Sequence, residues 1–305
     1  MQVGFGVPVA GSWATPGNQV RLVRRAEELG YQSVWTFQRL LVPEHPDARA
    51  GVPVYRSVHD PIVSLAYLAG QTSRVRLGLA VVNVPFFSPA LLAKQLATLD
   101  AVSGGRLDAG LGLGWMREEF QAVGVPQERL GARAEEFIGA LRALWTEDVV
   151  KFTGRFYEVP PARFAPKPVQ RPNPPLLLGG NVPAAWRRAG RLGDGWLGGS
   201  MADLARLDAT IGIVKQAASE AGRDPDSLRF VCRGVVRVRP PGEHDRRPLV
   251  GSLDEIRGDL DGLRAQGLTE VFFDLNFDPE IGSPDADPDV SMRRAEEVLE
   301  ALAPS

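Results

Sequence analysis

The stretch "GGRLDAGLGLGWMREEF", residues 104–120, is a strand pattern that runs out into glycine. Apolar residues alternate through Leu107, Ala109, Leu111 and Leu113. Gly110, Gly112 and Gly114 gather at the C-terminal end, ahead of Trp115 and the acid pair Glu118-Glu119. Glycine packs nothing and loses much conformational freedom on ordering, so it weakens a strand interior. At a strand end it either makes a tight turn or lets something approach the backbone closely. Two more strand ends carry the same signature, "LLLGGN" at 176–181 and "GWLGGS" at 195–200.

Around that stretch, short β-branched runs alternate with longer helical patterns. Strands are predicted at 3–7, 33–37, 75–83, 106–113, 175–180, 195–199, 228–239 and 270–276. Between them lie helical repeats such as Val20, Val23, Ala26 and Leu29, closed by Gly30, and a long helix is predicted over 203–221. Asp60-Pro61 and Ser88-Pro89 are cap-and-proline starts, and "SLDEIRGDLDGLRAQG" opens on a capping serine. Eight such alternations over 305 residues predict a (β/α)8 TIM barrel, one domain spanning 1–305, with an irregular Pro- and aromatic-rich insertion around 151–174. A doubly wound sheet is the alternative. It asks for G-x-G-x-x-G, but Gly110 and Gly112 lead to Trp115 at the sixth position.

In a TIM barrel, ligands sit at the C-terminal ends of the strands. All three glycine clusters fall on that rim, which points to a ligand site rather than to turns alone. Backbone N–H groups at Gly179, Gly180 and Asn181, just ahead of a helix, suit an anion.

Composition removes several classes. A net charge of −2 argues against a nucleic-acid surface. No apolar run approaches the roughly 20 residues of a membrane span. Met1–Phe5 lacks the charged and apolar regions of an export signal, and Cys232, the one cysteine, can form no intrachain disulfide. A cytoplasmic protein with a reduced, core-packed Cys232 is expected. No His/Cys/Asp group has metal-ligand spacing, so no metal is expected, and neither G-x-S-x-G nor a Cys/His pair is present.

"SGGRLDAGLGLGWMREEF" resembles the most recognisable motif of the luciferase-like monooxygenase family. "AEELGYQSVW", "DPIVSLAYLAGQTSRVRLGLAVVN", "PLLLGGN", "RAGRLGDGWL" and "GSLDEIRGDLDGLRAQGLTEVFFDL" resemble its other elements, in order, over nearly the whole chain. The resemblance implies a (β/α)8 enzyme that uses flavin mononucleotide (FMN) or the 8-hydroxy-5-deazaflavin coenzyme F420, and the pattern lies nearest the F420-dependent branch. A deazaflavin has carbon where a flavin has N5, so it transfers hydride and activates oxygen poorly. The expectation is therefore hydride transfer between F420 and a small organic substrate. The alternatives are an FMN monooxygenase fed by a reductase, or a non-catalytic flavin binder. Dimers are common in the family, so a homodimer is expected.

The resemblance also assigns residues. A non-proline cis peptide at Ala80–Val81 is expected to form a bulge under the ring, with Asn83 offering it a hydrogen bond. Gly112 and Gly114 are expected beside the ring, and Gly179, Gly180 and Asn181 at its phosphate. Many F420 relatives carry Asp-His after the second strand, where this chain has Gln38 and Arg39. Arginine is permanently charged and cannot act as a general base. Arg39 reads either as a clamp for charge in the active site or as the partner of a nearby acid such as Glu44. Sugar-phosphate dehydrogenases of the family have a catalytic Glu where Trp115 stands, so that activity is not expected. Trp115 reads as a wall of the substrate pocket or as core. Glu118 and Glu119 read as helix first-turn acids. His59 reads as a proton donor or a solvated loop residue. His45 is placed on the active rim, and His244 in solvent.

Overall fold

The computed structural model describes residues 1–45, 47, 49–242 and 245–304. Eight parallel strands run in chain order: β1 Gln2–Gly6, β2 Ser33–Thr36, β3 Arg76–Leu79, β4 Leu107–Gly112, β5 Leu176–Gly179, β6 Gly195–Gly198, β7 Arg229–Val235 and β8 Glu270–Asp274. Each pairs with its sequence neighbours, and β1 pairs with β8, so the sheet closes on itself. This is the (β/α)8 barrel that the alternation predicts.

The helices packed outside are α1 Pro16–Glu28, α2 Pro61–Ala69, α3 Pro89–Val102, α4 Arg117–Val123, α5 Leu130–Thr146, α6 Pro183–Leu192, α7 Leu207–Glu220, α8 Leu253–Ala265 and α9 Pro288–Ala301. Thr15, Asp60, Ser88, Ser252 and Asp287 each accept a hydrogen bond from a first-turn N–H, as N-caps do. Ser252 and Glu255 complete a capping box. No helix among the described residues is long and apolar enough to cross a membrane.

Three layers of side chains fill the barrel, because alternate residues of a strand face the same side. The bottom layer is charged. Asp108 accepts from Arg76 at 2.8 and 2.7 Å and from Arg229 at 2.6 and 3.2 Å. Arg229 also reaches Glu270 at 2.9 Å, and Glu270 accepts from Ser33 and from the Trp35 indole. Burial alone would push the Asp108 carboxyl up, but Arg76 and Arg229 outweigh it and hold it below the usual carboxylate range. The middle layer is apolar: Trp35, Leu177, Leu197, Val231 and Phe272, with the Trp35 and Phe272 rings stacked 5.1 Å apart. Gly78 makes room for that indole, since a Cβ there would stand 2.2 Å from the Trp35 ring. The upper layer, at the C-terminal ends, forms the mouth.

Four elements differ from the sequence reading. The third strand breaks after Leu79 and resumes at Val82–Asn83. The seventh breaks after Val235, and Arg237–Val238 pairs instead with Val250–Gly251. The helix expected from 203 starts at Leu207, because Asp203 caps a turn at Ala205 and Gln266 takes the Leu207 N–H at 2.6 Å. The insertion around 151–174 is not wholly irregular: Val150–Thr153 and Glu158–Ala162 form an antiparallel hairpin. Glu136 of α5 holds the turn by accepting from the N–H groups of Arg155, Phe156 and Tyr157.

Candidate active site

The mouth is organised by the break in β3. The Ala80–Val81 peptide is cis, as the resemblance implies. Val82 and Asn83 then pair with Leu111 and Gly112. Ala80 and Val81 pack on top of the apolar middle layer and form a bulge at the barrel centre. The glycines of β4 fit this bulge. A Cβ at Gly110 would stand 1.8 Å from the Leu79 carbonyl oxygen, and one at Gly112 would stand 2.4 Å from Val81 Cγ2. A Cβ at Gly179 would meet the other Val81 methyl at 3.1 Å. The close approach that glycine signals is thus, in the first place, that of the chain's own bulge. Gly114, at φ +74°, turns the chain toward Trp115 over the Phe86 and Phe120 rings.

Two carboxamides edge the bulge. Gln38 Oε1 accepts the Asn83 backbone N–H at 2.8 Å, and both residues are buried. Neither Gln38 Nε2 nor the Asn83 carboxamide has a hydrogen-bond partner among the described residues. They leave a donor and an amide free beside a flat apolar platform, and the polar edge of a flavin or deazaflavin fits such a set.

Arg233, which the sequence reading passed over, sits beside the platform. It is 4% exposed, pairs with Asp274 and donates to the Ala80 carbonyl of the cis peptide. Its guanidinium packs on the rings of Phe37, Phe272 and Phe277 at 4.7–5.3 Å. Asp274 is fixed in turn by the N–H groups of Asn276. The signal for Arg233 was present: in an otherwise apolar strand, Arg229 and Arg233 share a face with Val231, and Glu270 and Asp274 repeat that spacing in β8.

Arg39 is buried too, and its partner is Glu119, not Glu44. The pair is 2.7 Å apart, with side chains 5% and 0% exposed. The other Glu119 oxygen accepts the Leu40 N–H at 2.8 Å. Glu118 and Glu119 both lie in the first turn of α4, as the sequence indicates, but Glu119 is in addition the buried counter-ion of Arg39, whereas Glu118 is exposed. The Arg39 guanidinium lies 4.2 Å from the Tyr55 ring and 4.9 Å from the Trp115 ring, and Arg49 covers Trp115 at 3.9 Å. Arg39 Nε is buried with no hydrogen-bond partner among the described residues. Trp115 is half-buried and belongs to this aromatic wall.

The histidines contribute less. His59 Nδ1 lies 3.1 Å from Gln19 Nε2, which also donates to the Pro8 carbonyl, so the ring is tied to α1. His45 is exposed, and His244 lies outside the described residues. Burial pushes the Cys232 thiol up to about 12, against the opposing charge of Arg233, so it supplies no thiolate nucleophile.

On the far side of the bulge, Gly179 and Gly180 lead to Asn181 at the start of α6. Both the Trp186 and Trp196 indoles donate to the Gly180 carbonyl at 3.0 Å. Asn181, Trp186, Trp196, Arg206 and Thr210 line a cavity of about 310 Å³. The two helices that start there, α6 and α7, have no side-chain cap at Val182 or Arg206. α6 opens on Pro183, which has no N–H, and Gln266 takes the first N–H of α7 at Leu207, so only N–H groups further into each first turn are left for water or an anion. Ala80, Val81, Gln38, Asn83, Gly112 and Gly179 are thus brought together, and Asn181 opens on the adjoining space. His59 stands apart, against α1.

A family model described as luciferase-like monooxygenase matches residues 3–267. An uncharacterized protein of Mycobacterium tuberculosis is 34% identical over 241 residues, covering 74% of this chain and 82% of its own. The FMNH2-dependent dimethylsulfone monooxygenase of Pseudomonas putida is 39% identical over 139 residues, covering 45% of this chain and 38% of the enzyme. Among solved structures, the monooxygenase RslO1 from Streptomyces bottropensis superposes with a TM-score of 0.79 at 26% identity, covering 99% and 98% of the two chains. An F420-dependent secondary alcohol dehydrogenase, in complex with an F420–acetone adduct, gives 0.77 at 19% identity with the same coverage; at that identity it speaks for the fold.

Proposed function

The chain belongs to the luciferase-like monooxygenase family, and we propose that within it the protein is an oxidoreductase that binds coenzyme F420 at the barrel mouth and moves a hydride between the deazaflavin and a small organic substrate. The observation that carries this reading is the kind of charge placed there. Arg39 and Arg233 are buried guanidinium groups, each tied to a carboxylate. They hold positive charge in one position and do not exchange protons. Hydride transfer between two carbon atoms asks for that service. When bound, the deazaflavin supplies the carbon centre that gives or takes the hydride.

The rest falls to the chain. Ala80 and Val81 back the ring plane, and Gln38 and Asn83 orient its polar edge. Arg233 holds the bulge by its carbonyl. Phe37, Tyr55 and Trp115 exclude water above it, and Arg39 steadies charge on a substrate oxygen. Asn181 and Arg206, beside the starts of α6 and α7, take the phosphate. A carbonyl, an activated alkene or an alcohol fits this arrangement; reduction of a carbonyl also takes up one proton from solvent.

An FMN-dependent monooxygenase is the second reading, favoured by the 39% identity to the dimethylsulfone enzyme. A labelling experiment separates the two. Under argon, F420 reduced with deuterium at C5 is mixed with the protein and a panel of aldehydes, ketones and enones. The F420 reading expects the oxidised deazaflavin absorbance to return and the label to appear on a product carbon. Oxygen uptake with externally reduced FMN, and no deazaflavin turnover on any member of the panel, contradicts it.

A further inference from the structure

Beside the platform, a cavity of about 610 Å³ opens between the loops that follow β6 and β7. Its wall is partly apolar, with Met201, Leu204, Val235, Pro248, Val250 and Phe277, yet four arginines line it: Arg233, Arg237, Arg246 and Arg247. Two of these are committed. Arg233 is held by Asp274 and the Ala80 carbonyl, and Arg246 makes a two-pronged pair with Asp259 at 2.7 and 2.9 Å. The other two have no carboxylate partner among the described residues. Arg237 donates one Nη to the Phe277 carbonyl at 3.2 Å, and its Nε is buried with no partner. The one acid in the lining, Asp203, already accepts from the Ala205 N–H. A partly apolar cavity that holds two guanidinium groups with no carboxylate partner among the described residues, against the single acid Asp203, selects an organic anion, because forked donors match a carboxylate and the apolar wall rewards a carbon skeleton.

We propose that this cavity is the subsite for a substrate carboxylate, so that the substrate class is organic acids that react at a carbon some distance from their acid group. The inference rests on the F420 reading for where the reacting carbon lies. Arg233 links the two places: it touches the bulge carbonyl and lines the cavity, so an acid group at Arg237 and Arg247 leaves the other end of the molecule over the platform. The Phe277 ring continues the path, 5.2 Å from Phe37 and 6.0 Å from Tyr55.

Benzoate and benzamide have nearly the same shape and differ in charge, so their calorimetric titration into the protein tests this, with and without cofactor. The expected result is benzoate binding at least about tenfold tighter than benzamide, with the preference falling below about threefold in Arg237→Gln and surviving in Arg257→Gln, an exposed α8 control. Arg247→Gln, on an exposed loop, gives the same readout should Arg237→Gln fail to fold. Equal binding of the two probes, or a preference untouched by both cavity variants, overturns the proposal. So does an Arg237→Gln variant that loses affinity for F420 but not for FMN, because the arginines would then serve an acidic extension of the cofactor. The cofactor-free arm reads the subsite by itself, so a failed F420 titration and a failed benzoate titration are separate results.

Discussion

The bottom and the mouth of the barrel hold the same chemical groups and leave them in different states. At the bottom, Arg76, Arg229, Asp108 and Glu270 close on one another, with Ser33 and the Trp35 indole taking up remaining acceptor capacity. At the mouth, Arg39 has one carboxylate and a buried Nε with no partner, Arg237 has a carbonyl and another such Nε, and Gln38 and Asn83 hold amide groups in reserve. A buried charge is costly unless paired and hydrogen-bonded. The closed network therefore reads as architecture, and the open one as a surface that a ligand completes.

Breaking the closed end is expected to have the largest effect. Asp108→Ala leaves Arg76 without an acid and Arg229 with Glu270 alone, at a cost of about 3–5 kcal/mol. Thermal unfolding followed by circular dichroism checks this, with a fall in midpoint of roughly 5–8 °C expected. A shift within a degree or two means that the bottom layer is not the clamp described here. At the open end, Glu119→Gln keeps an acceptor for the Leu40 N–H and removes the charge beside Arg39. A loss of about 1–3 kcal/mol is expected, together with weaker cofactor binding. Glu44→Gln, at the exposed acid that the sequence alone offers as the partner, should leave both measurements where they were. If the two substitutions behave alike, the buried pair has been misread.

A smaller effect is a pH dependence. The Asp108 carboxyl is held below its ordinary value in the folded state. Its ionised form therefore adds stability that is complete above the unfolded carboxylate range, near pH 4, and is lost as pH falls through the folded value. The gap in urea midpoint between the native chain and Asp108→Asn should be widest near neutrality and narrow in acid. A gap that widens as pH falls has the opposite sign and is incompatible with the depressed carboxyl.

How much of this is legible in the sequence follows from the same contrast. The barrel is legible because strands buried on both faces read as short apolar runs, and because Asp60, Ser88 and Ser252 mark helix starts unambiguously. The glycines of β4 are legible as close approach, but not as an approach by Val81 and Leu79. The cis bond at Ala80–Val81 is reached only by resemblance, since nothing in those two residues asks for it. Arg233 and Asp274 were passed over, and the pairing of Glu119 with Arg39 was not read, for one reason: each makes sense only with a partner far along the chain, 41 residues away for Arg233 and 80 for Arg39. Charged residues spaced by four within apolar strands were the available hint. Closure of the barrel decides which of them meet.

The central claim is that the open end is completed by a deazaflavin. Its most direct test is a pair of equilibrium titrations of the cofactor-free protein, one with coenzyme F420 and one with FMN, each followed by fluorescence. The account predicts micromolar binding of F420 and at least tenfold weaker binding of FMN, a difference of about 1.4 kcal/mol. Tighter binding of FMN, or binding of neither, would contradict it.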